Sequence, residues 1–173
     1  PAASGTPERQ RQDALALLAA WDGRMNEHLP EPLIHAGWMA ELQMRIIRDE
    51  LGPLADRFTA LRPDFIEAVF RNQADSARWC DIIQSAPVED CTMVARQALD
   101  AAILSLSERY GPQLASWRWG DAHQAVHVNP GLGRLPLLGW LTNLRQSVSG
   151  GDLTIMQSGL HGGGADPFQA DAG

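Results

Sequence analysis

The sequence of 173 residues contains no run of about 18 apolar residues, so no segment of it is predicted to span a membrane. Its net charge is −7, from 14 basic and 21 acidic residues, and it lacks the basic excess with which proteins bind nucleic-acid phosphates. We therefore expect neither a membrane nor a nucleic acid as a partner. Tyrosine occurs once, whereas tryptophan occurs six times, and buried tryptophans are typical of a large core or a pocket wall.

Motifs of well-known chemistry are also missing. Neither Gly150-Gly151-Asp152 nor Gly162-Gly163-Gly164 matches the phosphate-binding patterns G-x-x-x-x-G-K-[ST] and G-x-G-x-x-G. Tight turns and positive φ angles explain these glycines better. Ser147 and Ser149 lack the G-x-S-x-G nucleophile elbow. The sequence therefore indicates neither a nucleotide-binding protein nor an ordinary serine-triad hydrolase.

Three of the five histidines raise the question of a metal site. His123 and His127 are four residues apart, which puts them on one face of a helix or of a strand, and His161 could join them. However, H-E-x-x-H is absent, and a catalytic zinc site needs three protein ligands and an open position. We favour polar positions on a half-exposed strand, with His123 hydrogen-bonded to backbone. No metal or cofactor site is predicted in this chain.

The composition, with 45% hydrophobic and 20% charged residues, indicates a globular chain, and its first two-thirds carry helical signals. A first helix is predicted to begin at residues 6–8, which supply an N-cap, a proline and an acid, and to end at Asp22-Gly23. A second is predicted from about Pro32 to Leu51-Gly52-Pro53, and a shorter third from Pro63. In each case glycine or proline marks an end that a helix rarely crosses.

The fourth helix carries the clearest pattern. A loop is predicted over residues 73–86, after which Pro87 opens the helix with Glu89 and Asp90 in its first turn. Tyr110-Gly111-Pro112 closes it. The apolar stripe of this helix consists of Val94, Leu99, Ile103 and Leu106.

After Trp117 the pattern changes. Alternation over residues 122–128 and 153–157 predicts strands, and glycine and proline crowd the links between them. We predict a mainly α fold with a small C-terminal β portion. Its domains are a helical region over residues 1–117 and a strand-and-loop segment over residues 118–173, truncated at its C-terminus.

Two cysteines, Cys80 and Cys91, enclose a short segment ahead of the fourth helix. Without histidine or acidic partners nearby, two cysteines cannot form a structural zinc site. A disulfide in an oxidising compartment and two buried free thiols in a reducing one both remain open from composition alone.

Several short motifs occur in an order that resembles a known family. Residues 18–23 read L-x-x-W-D-G, and residues 98–111 resemble a long helix that ends in Arg-Tyr-Gly. Residues 117–123 read W-x-W-G-x-x-H, and the glycine pair at residues 150–151 follows. Together they resemble the middle and C-terminal parts of the β subunit of penicillin amidases, the family of penicillin acylases and acyl-homoserine-lactone acylases.

The resemblance implies an N-terminal-nucleophile hydrolase that acts on linear amides. In that family a precursor cleaves itself to expose a serine at the N-terminus of the β chain. The serine hydroxyl attacks the amide while its own α-amino group acts as base, and a backbone N–H and an asparagine side chain hold the oxyanion. The complete fold is an α-β-β-α sandwich with helical additions, calcium is a cofactor of the full-length enzyme, and the location is the periplasm.

The catalytic residues of the family do not map onto this chain. Pro1 has no hydroxyl or thiol nucleophile, and the oxyanion asparagine and the calcium ligands belong upstream of L-x-x-W-D-G. Asn129 and Asn143 are therefore not assigned those roles. We expect both chain ends to be cuts and the chain to be an inactive C-terminal fragment. Its expected partners are the α subunit, the N-terminal part of the β subunit and a small amide substrate. The alternative is a non-enzymatic helical interaction module.

The export that the resemblance implies also favours a disulfide between Cys80 and Cys91, because an oxidising compartment allows such a bond to persist. It would join the predicted loop to the fourth helix. A closed loop this short is expected to contribute roughly 2–3 kcal/mol.

Overall fold

The computed structural model describes residues 7–82, 88–127, 144–151, 154, 159–160 and 170–171. The chain divides into two compact units. The first comprises residues 1–20 and 34–114, and the second comprises residues 21–33 and 115–173. The second unit thus includes residues 21–33, which the sequence analysis assigned to the helical region. Within the described ranges, no helix combines the length and the apolar character that crossing a membrane requires.

Four long helices occupy the stretch before Trp117. They are α1 (Pro7–Ala20), α2 (Glu31–Leu51), α3 (Pro63–Phe70) and α4 (Cys91–Tyr110). The predicted ends of α1 and α2 and the predicted start of α3 are confirmed to within two residues. Gly23 and Gly111 have φ angles of 82° and 87°, a region in which glycine avoids the steric cost of a Cβ atom. Three 3-10 segments join the helices: Gly52–Arg57, Gln73–Cys80 and Leu114–Ser116.

Among the described residues, strands follow only after Trp117, as predicted. A single helical turn, α5 (Trp119–Ala122), leads into β1 (Gln124–His127), which pairs antiparallel with β2 (Leu144–Ser147). Two-residue strands, β3 (Gly159–Leu160) and β4 (Ala170–Asp171), extend the sheet in the order β2-β1-β4-β3. Of the predicted strand at residues 153–157, Thr154 is described and lies in a bend, and the other four residues lie outside the described part.

Two local predictions in the first unit were wrong. Residues 73–80 form a 3-10 segment rather than a loop, and its turn depends on positive φ angles at the non-glycine residues Asn72, Ala74 and Asp75. The fourth helix begins at Cys91, because the Asp90 carboxylate accepts a hydrogen bond of 2.7 Å from the backbone N–H of Met93 and caps it. Glu89 and Asp90 therefore precede the first turn, and Pro87 lies outside the described residues.

The core of the first unit forms where α2, α3 and α4 meet. The predicted stripe of α4 is confirmed, since Val94, Leu99, Ile103 and Leu106 are all buried. The facing residues belong to α2 and α3, and they include Leu42, Ile46, Ile66 and Val69. The Trp38 indole packs against this core and donates a hydrogen bond of 2.8 Å to the Ala95 carbonyl. This bond joins α2 to α4 and satisfies the polar edge of a half-buried ring.

Candidate functional site

The W-x-W-G-x-x-H segment lies at the centre of the second unit. Trp117, Trp119 and His123 are almost completely buried. Residues 119 and 123 are four apart on α5 and its end, so their rings lie one above the other. The ring centroids of Trp119 and His123 are 4.6 Å apart and their planes differ by 12°. The last part of the motif therefore forms a stacked pair inside the unit.

A hydrogen bond fixes the orientation of the His123 ring. Its Nδ1 lies 2.9 Å from the Val148 carbonyl oxygen. A carbonyl oxygen only accepts, so Nδ1 carries the proton and donates it. The Val148 N–H in turn donates to the His123 carbonyl at 3.2 Å. The predicted backbone hydrogen bond is thus confirmed, but the half-exposed strand position was wrong, because His123 is buried at the end of a helical turn.

Three separate stretches of chain meet here, namely α5, the segment before α2 and the glycine pair after β2. The Trp119 N–H donates to the Leu29 carbonyl at 2.9 Å, and the Gly120 N–H donates to the Glu27 carbonyl at 2.8 Å. The Trp119 indole N–H donates to the Gly150 carbonyl at 2.8 Å. The tryptophan motif therefore binds both the segment before α2 and the glycine pair after β2.

The glycines of these motifs are required by space and by backbone conformation. A Cβ atom at Gly120 would lie 2.7 Å from the Ser147 Cβ and 3.1 Å from the Glu27 Cβ. Gly150 has a φ angle of 99°, and its N–H donates to the Met25 carbonyl at 2.7 Å. The Gly151 N–H donates to the Thr154 hydroxyl at 2.9 Å. Both amide hydrogens of the pair are used within the chain, which supports turn formation over phosphate binding.

The other motif residues also have structural partners. The Trp21 indole N–H donates to the Arg24 carbonyl at 2.9 Å, and the Asp22 carboxylate accepts from the Arg24 N–H at 3.0 Å. W-D-G therefore encodes the turn that follows α1. The Ser149 hydroxyl accepts from the Glu27 N–H at 3.1 Å.

Several candidate residues cannot be placed. The side chain of His127 and the whole of His161 lie outside the described part, as do Pro1, Asn129, Asn143 and Gly162-Gly163-Gly164. Among the residues that the structure does describe, no three His, Cys, Asp or Glu side chains come together as metal ligands would. The prediction that this chain carries no catalytic or metal-binding residue stays a prediction.

In the first unit, Cys80 and Cys91 form a disulfide, the pair that the sequence analysis joined. Their Cα atoms are 5.0 Å apart, within the range that a disulfide spans. Cys80 ends the 3-10 segment and is buried, whereas Cys91 begins α4. Beside the bond, the rings of Phe65 and Trp79 meet edge to face with their centroids 5.4 Å apart. The bond therefore attaches the 3-10 segment to the core helix.

The first unit also contains an apolar cavity of about 450 Å³ that opens to the surface among its four helices. Its wall is formed by Arg11, Leu15, Trp38, Met39, Leu42, Ile66, Phe70, Thr92, Ala95, Arg96 and Leu99. No pattern in the sequence singled out this cavity, because its lining comes from four separate helices. The surface that faces the cavity is mostly carbon, so the cavity suits an apolar occupant.

Comparison with known proteins identifies relatives of the whole chain. A sequence model of a family described as penicillin amidase matches residues 2–173. Acyl-homoserine lactone acylase QuiP of Pseudomonas syringae pv. tomato is 27% identical over 164 residues, and that of Pseudomonas syringae pv. syringae is 26% identical over 162 residues. Each alignment covers 87% of this chain but only 19% of the relative. The corresponding Pseudomonas aeruginosa protein is 26% identical over 127 residues, which are 68% of this chain and 15% of that protein.

Proposed function

Because the chain belongs to the penicillin amidase family, we propose that it is part of an enzyme that hydrolyses a linear amide bond in a penicillin-like or acyl-homoserine-lactone-like substrate. The match of the family over residues 2–173 carries this proposal. The similar proteins named as acyl-homoserine lactone acylases support the acylase activity. The chain spans about one-fifth of the length of these relatives, which supports a role as one part of a longer amidase.

The chemistry is expected in the remainder of that amidase. A serine at the N-terminus of the β chain attacks the amide carbonyl, and its own α-amino group accepts the proton. The amine leaves, and water then releases the acid from the acyl-enzyme. Oxyanion stabilisation comes from a backbone N–H and an asparagine of the same upstream region. The residues of this chain form part of the structural framework that supports that site.

Each unit has a proposed place in the complete enzyme. The second unit supplies strands to the α-β-β-α sandwich, with Trp119 and His123 fixing α5 against β2. The first unit is one of its helical additions. The partners are the α subunit and the N-terminal part of the β subunit. Calcium is expected to bind outside this chain, because the calcium ligands of the family belong upstream of L-x-x-W-D-G.

We further propose that the complete enzyme is periplasmic. The disulfide between Cys80 and Cys91 supports this location, since disulfides form and persist in oxidising compartments.

The proposal is tested on the complete polypeptide that contains this chain. We expect its intact mass to show cleavage into two subunits and the N-terminus of the larger one to be serine. That protein should release the acid from a phenylacetyl amide or a long-chain acyl-homoserine lactone, whereas the 173-residue chain alone should not. An uncleaved protein without amidase activity would instead favour the helical interaction module. Turnover by the 173-residue chain alone would refute the placement of the nucleophile.

A further inference from the structure

The apolar cavity of the first unit has large side chains exposed at its mouth. Leu15 of α1 is 43% exposed and Phe70 of α3 is 44% exposed, although both line the cavity. Water in contact with such rings and aliphatic chains is unfavourable, and contiguous exposed apolar surface marks an interaction site. The cavity and its mouth therefore form one apolar surface, which we name the α1–α3 groove.

Helix α1 is incompletely buried within the first unit. Among the described residues of α1, Ala14 alone is fully buried, although the helix also carries three leucines. An ion pair between Arg11 and Asp100, with 2.6 Å between Nε and Oδ1, attaches α1 to α4. An amphipathic helix is normally stabilised by packing its apolar face. In α1 the exposed Leu15 borders the α1–α3 groove instead.

The charges at the groove determine what chemistry its occupant needs. The Arg11 guanidinium is already paired with Asp100. Arg96, on α4, also lines the groove; it is exposed and makes no hydrogen bond or ion pair within the described part of the chain. A carboxylate beside it would form a charge-assisted hydrogen bond. The groove therefore suits an apolar segment that carries an acidic residue.

We propose that the α1–α3 groove seats an apolar segment with an acidic side chain from the rest of the amidase polypeptide. This inference rests on the proposed function, because it takes its occupant from the longer enzyme. The matched relatives are about five times as long as the part of them that this chain covers. In the precursor that additional chain is tethered to the first unit, so its effective concentration at the groove exceeds that of any separate molecule.

The test uses the complete amidase with the photoreactive residue p-benzoylphenylalanine in place of Phe70. The matched control carries it in place of Leu104, which is 63% exposed on α4 and does not line the groove. After irradiation we expect the first protein to form a crosslink to a peptide outside the 173 residues, one that contains apolar residues and an acid. The control should not form that crosslink. Adding Arg96→Glu to the protein with the photoreactive residue at position 70 should lower the yield of that crosslink. Adding Arg48→Glu, which alters an exposed arginine paired with Asp56, should leave the yield unchanged.

Other outcomes would overturn the inference. Crosslinks confined to the 173 residues, or crosslinks to a second copy of the chain, would exclude the proposed occupant. Suppression of crosslinking by a long-chain acyl amide, with no adduct to the distant peptide, would assign the groove to a small acyl ligand. An unchanged yield in the Arg96→Glu protein would refute the acidic partner. Amide turnover is measured on the same samples: turnover without the crosslink refutes the groove assignment alone, and the crosslink without turnover refutes the proposed function alone.

Discussion

The two units of this chain differ in what joins their distant segments. In the first unit, helices meet through an apolar core, and a disulfide attaches the 3-10 segment of residues 73–80 to α4. In the second unit, three separated stretches meet through backbone hydrogen bonds around a buried tryptophan and a buried histidine. The first unit leaves an open apolar cavity, whereas the centre of the second is closely packed.

The family motifs of the second unit have structural roles that account for their residue types. Trp119, Gly120, His123 and Gly150 each have a packing or hydrogen-bonding role inside the second unit. Such roles tolerate few substitutions, since a Cβ atom at Gly120 or a smaller ring at Trp119 would disturb three segments at once. The motif residues of the second unit are therefore residues that hold this unit together.

Truncation of Trp119 should have the largest effect on stability. It tests whether the second unit depends on the hydrogen bonds around this buried tryptophan. Trp119→Ala removes a fully buried indole and its hydrogen bond to the Gly150 carbonyl, so we expect a loss of about 3–5 kcal/mol in the free energy of unfolding. Urea denaturation followed by circular dichroism measures it. Trp21→Ala, at a half-buried tryptophan bonded to the nearby Arg24 carbonyl, is the control and should cost less. Equal losses in the two variants would contradict a central role for Trp119.

Removal of the disulfide tests the first unit in the same way. The double variant Cys80→Ser and Cys91→Ser removes a bond between two residues with a sequence separation of 11. The entropy of loop closure predicts a loss of roughly 3 kcal/mol in the free energy of unfolding. The control is the same comparison after full reduction, where the difference between variant and parent should largely disappear. Alkylation without reductant, followed by mass spectrometry, checks the bond itself. Two alkylated cysteines in unreduced protein would exclude the disulfide.

Sequence reasoning located the helices well because their ends are encoded locally. Pro7 and Pro63 fix the φ angle at the first turns of their helices, and Gly111 permits the positive φ that ends α4. The 3-10 segment after α3 was missed because its positive φ angles fall on residues such as Ala74, for which no local pattern predicts them. Strand β2 was missed because its sequence, Leu-Arg-Gln-Ser, has no apolar alternation.

The interior of each unit was harder to predict because it depends on distant partners. The buried Gln43 amide donates to the Phe58 and Ala60 carbonyls at 3.2 and 2.9 Å, and its oxygen accepts from the Arg62 N–H at 2.7 Å. A glutamine on an apolar helix gives no sign of such a role. Likewise, the close approach of Ser147 explains Gly120 only once the chain has folded.

A methyl group at Gly120 should have an intermediate effect on the second unit. In Gly120→Ala the new Cβ would lie 2.7 Å from the Ser147 Cβ, and such overpacking costs about 1–3 kcal/mol. Adding Ser147→Gly removes the nearest atom and should restore part of the lost stability, but not all of it, since Glu27 remains 3.1 Å away. Urea denaturation of the single and double variants measures this coupling. Strictly additive effects would show that the contact is not what excludes alanine.

The smallest expected effect is the pH dependence that His35 gives to the first unit. Desolvation by burial lowers the pKa of His35, a half-buried residue of α2, below its ordinary value of 6.5. As the pH falls through about 6.5, the unfolded chain takes up a proton before the folded chain does, so unfolding becomes easier. The stability that depends on neutral His35 is therefore fully present above about pH 6.5 and is lost as the pH falls below it. The glutamine in His35→Gln cannot titrate, so this variant should show a flatter dependence of the urea midpoint on pH in this range. The parent protein above about pH 6.5 is the reference. Urea midpoints that fall equally in both proteins between about pH 7 and pH 5 would assign the dependence to other groups.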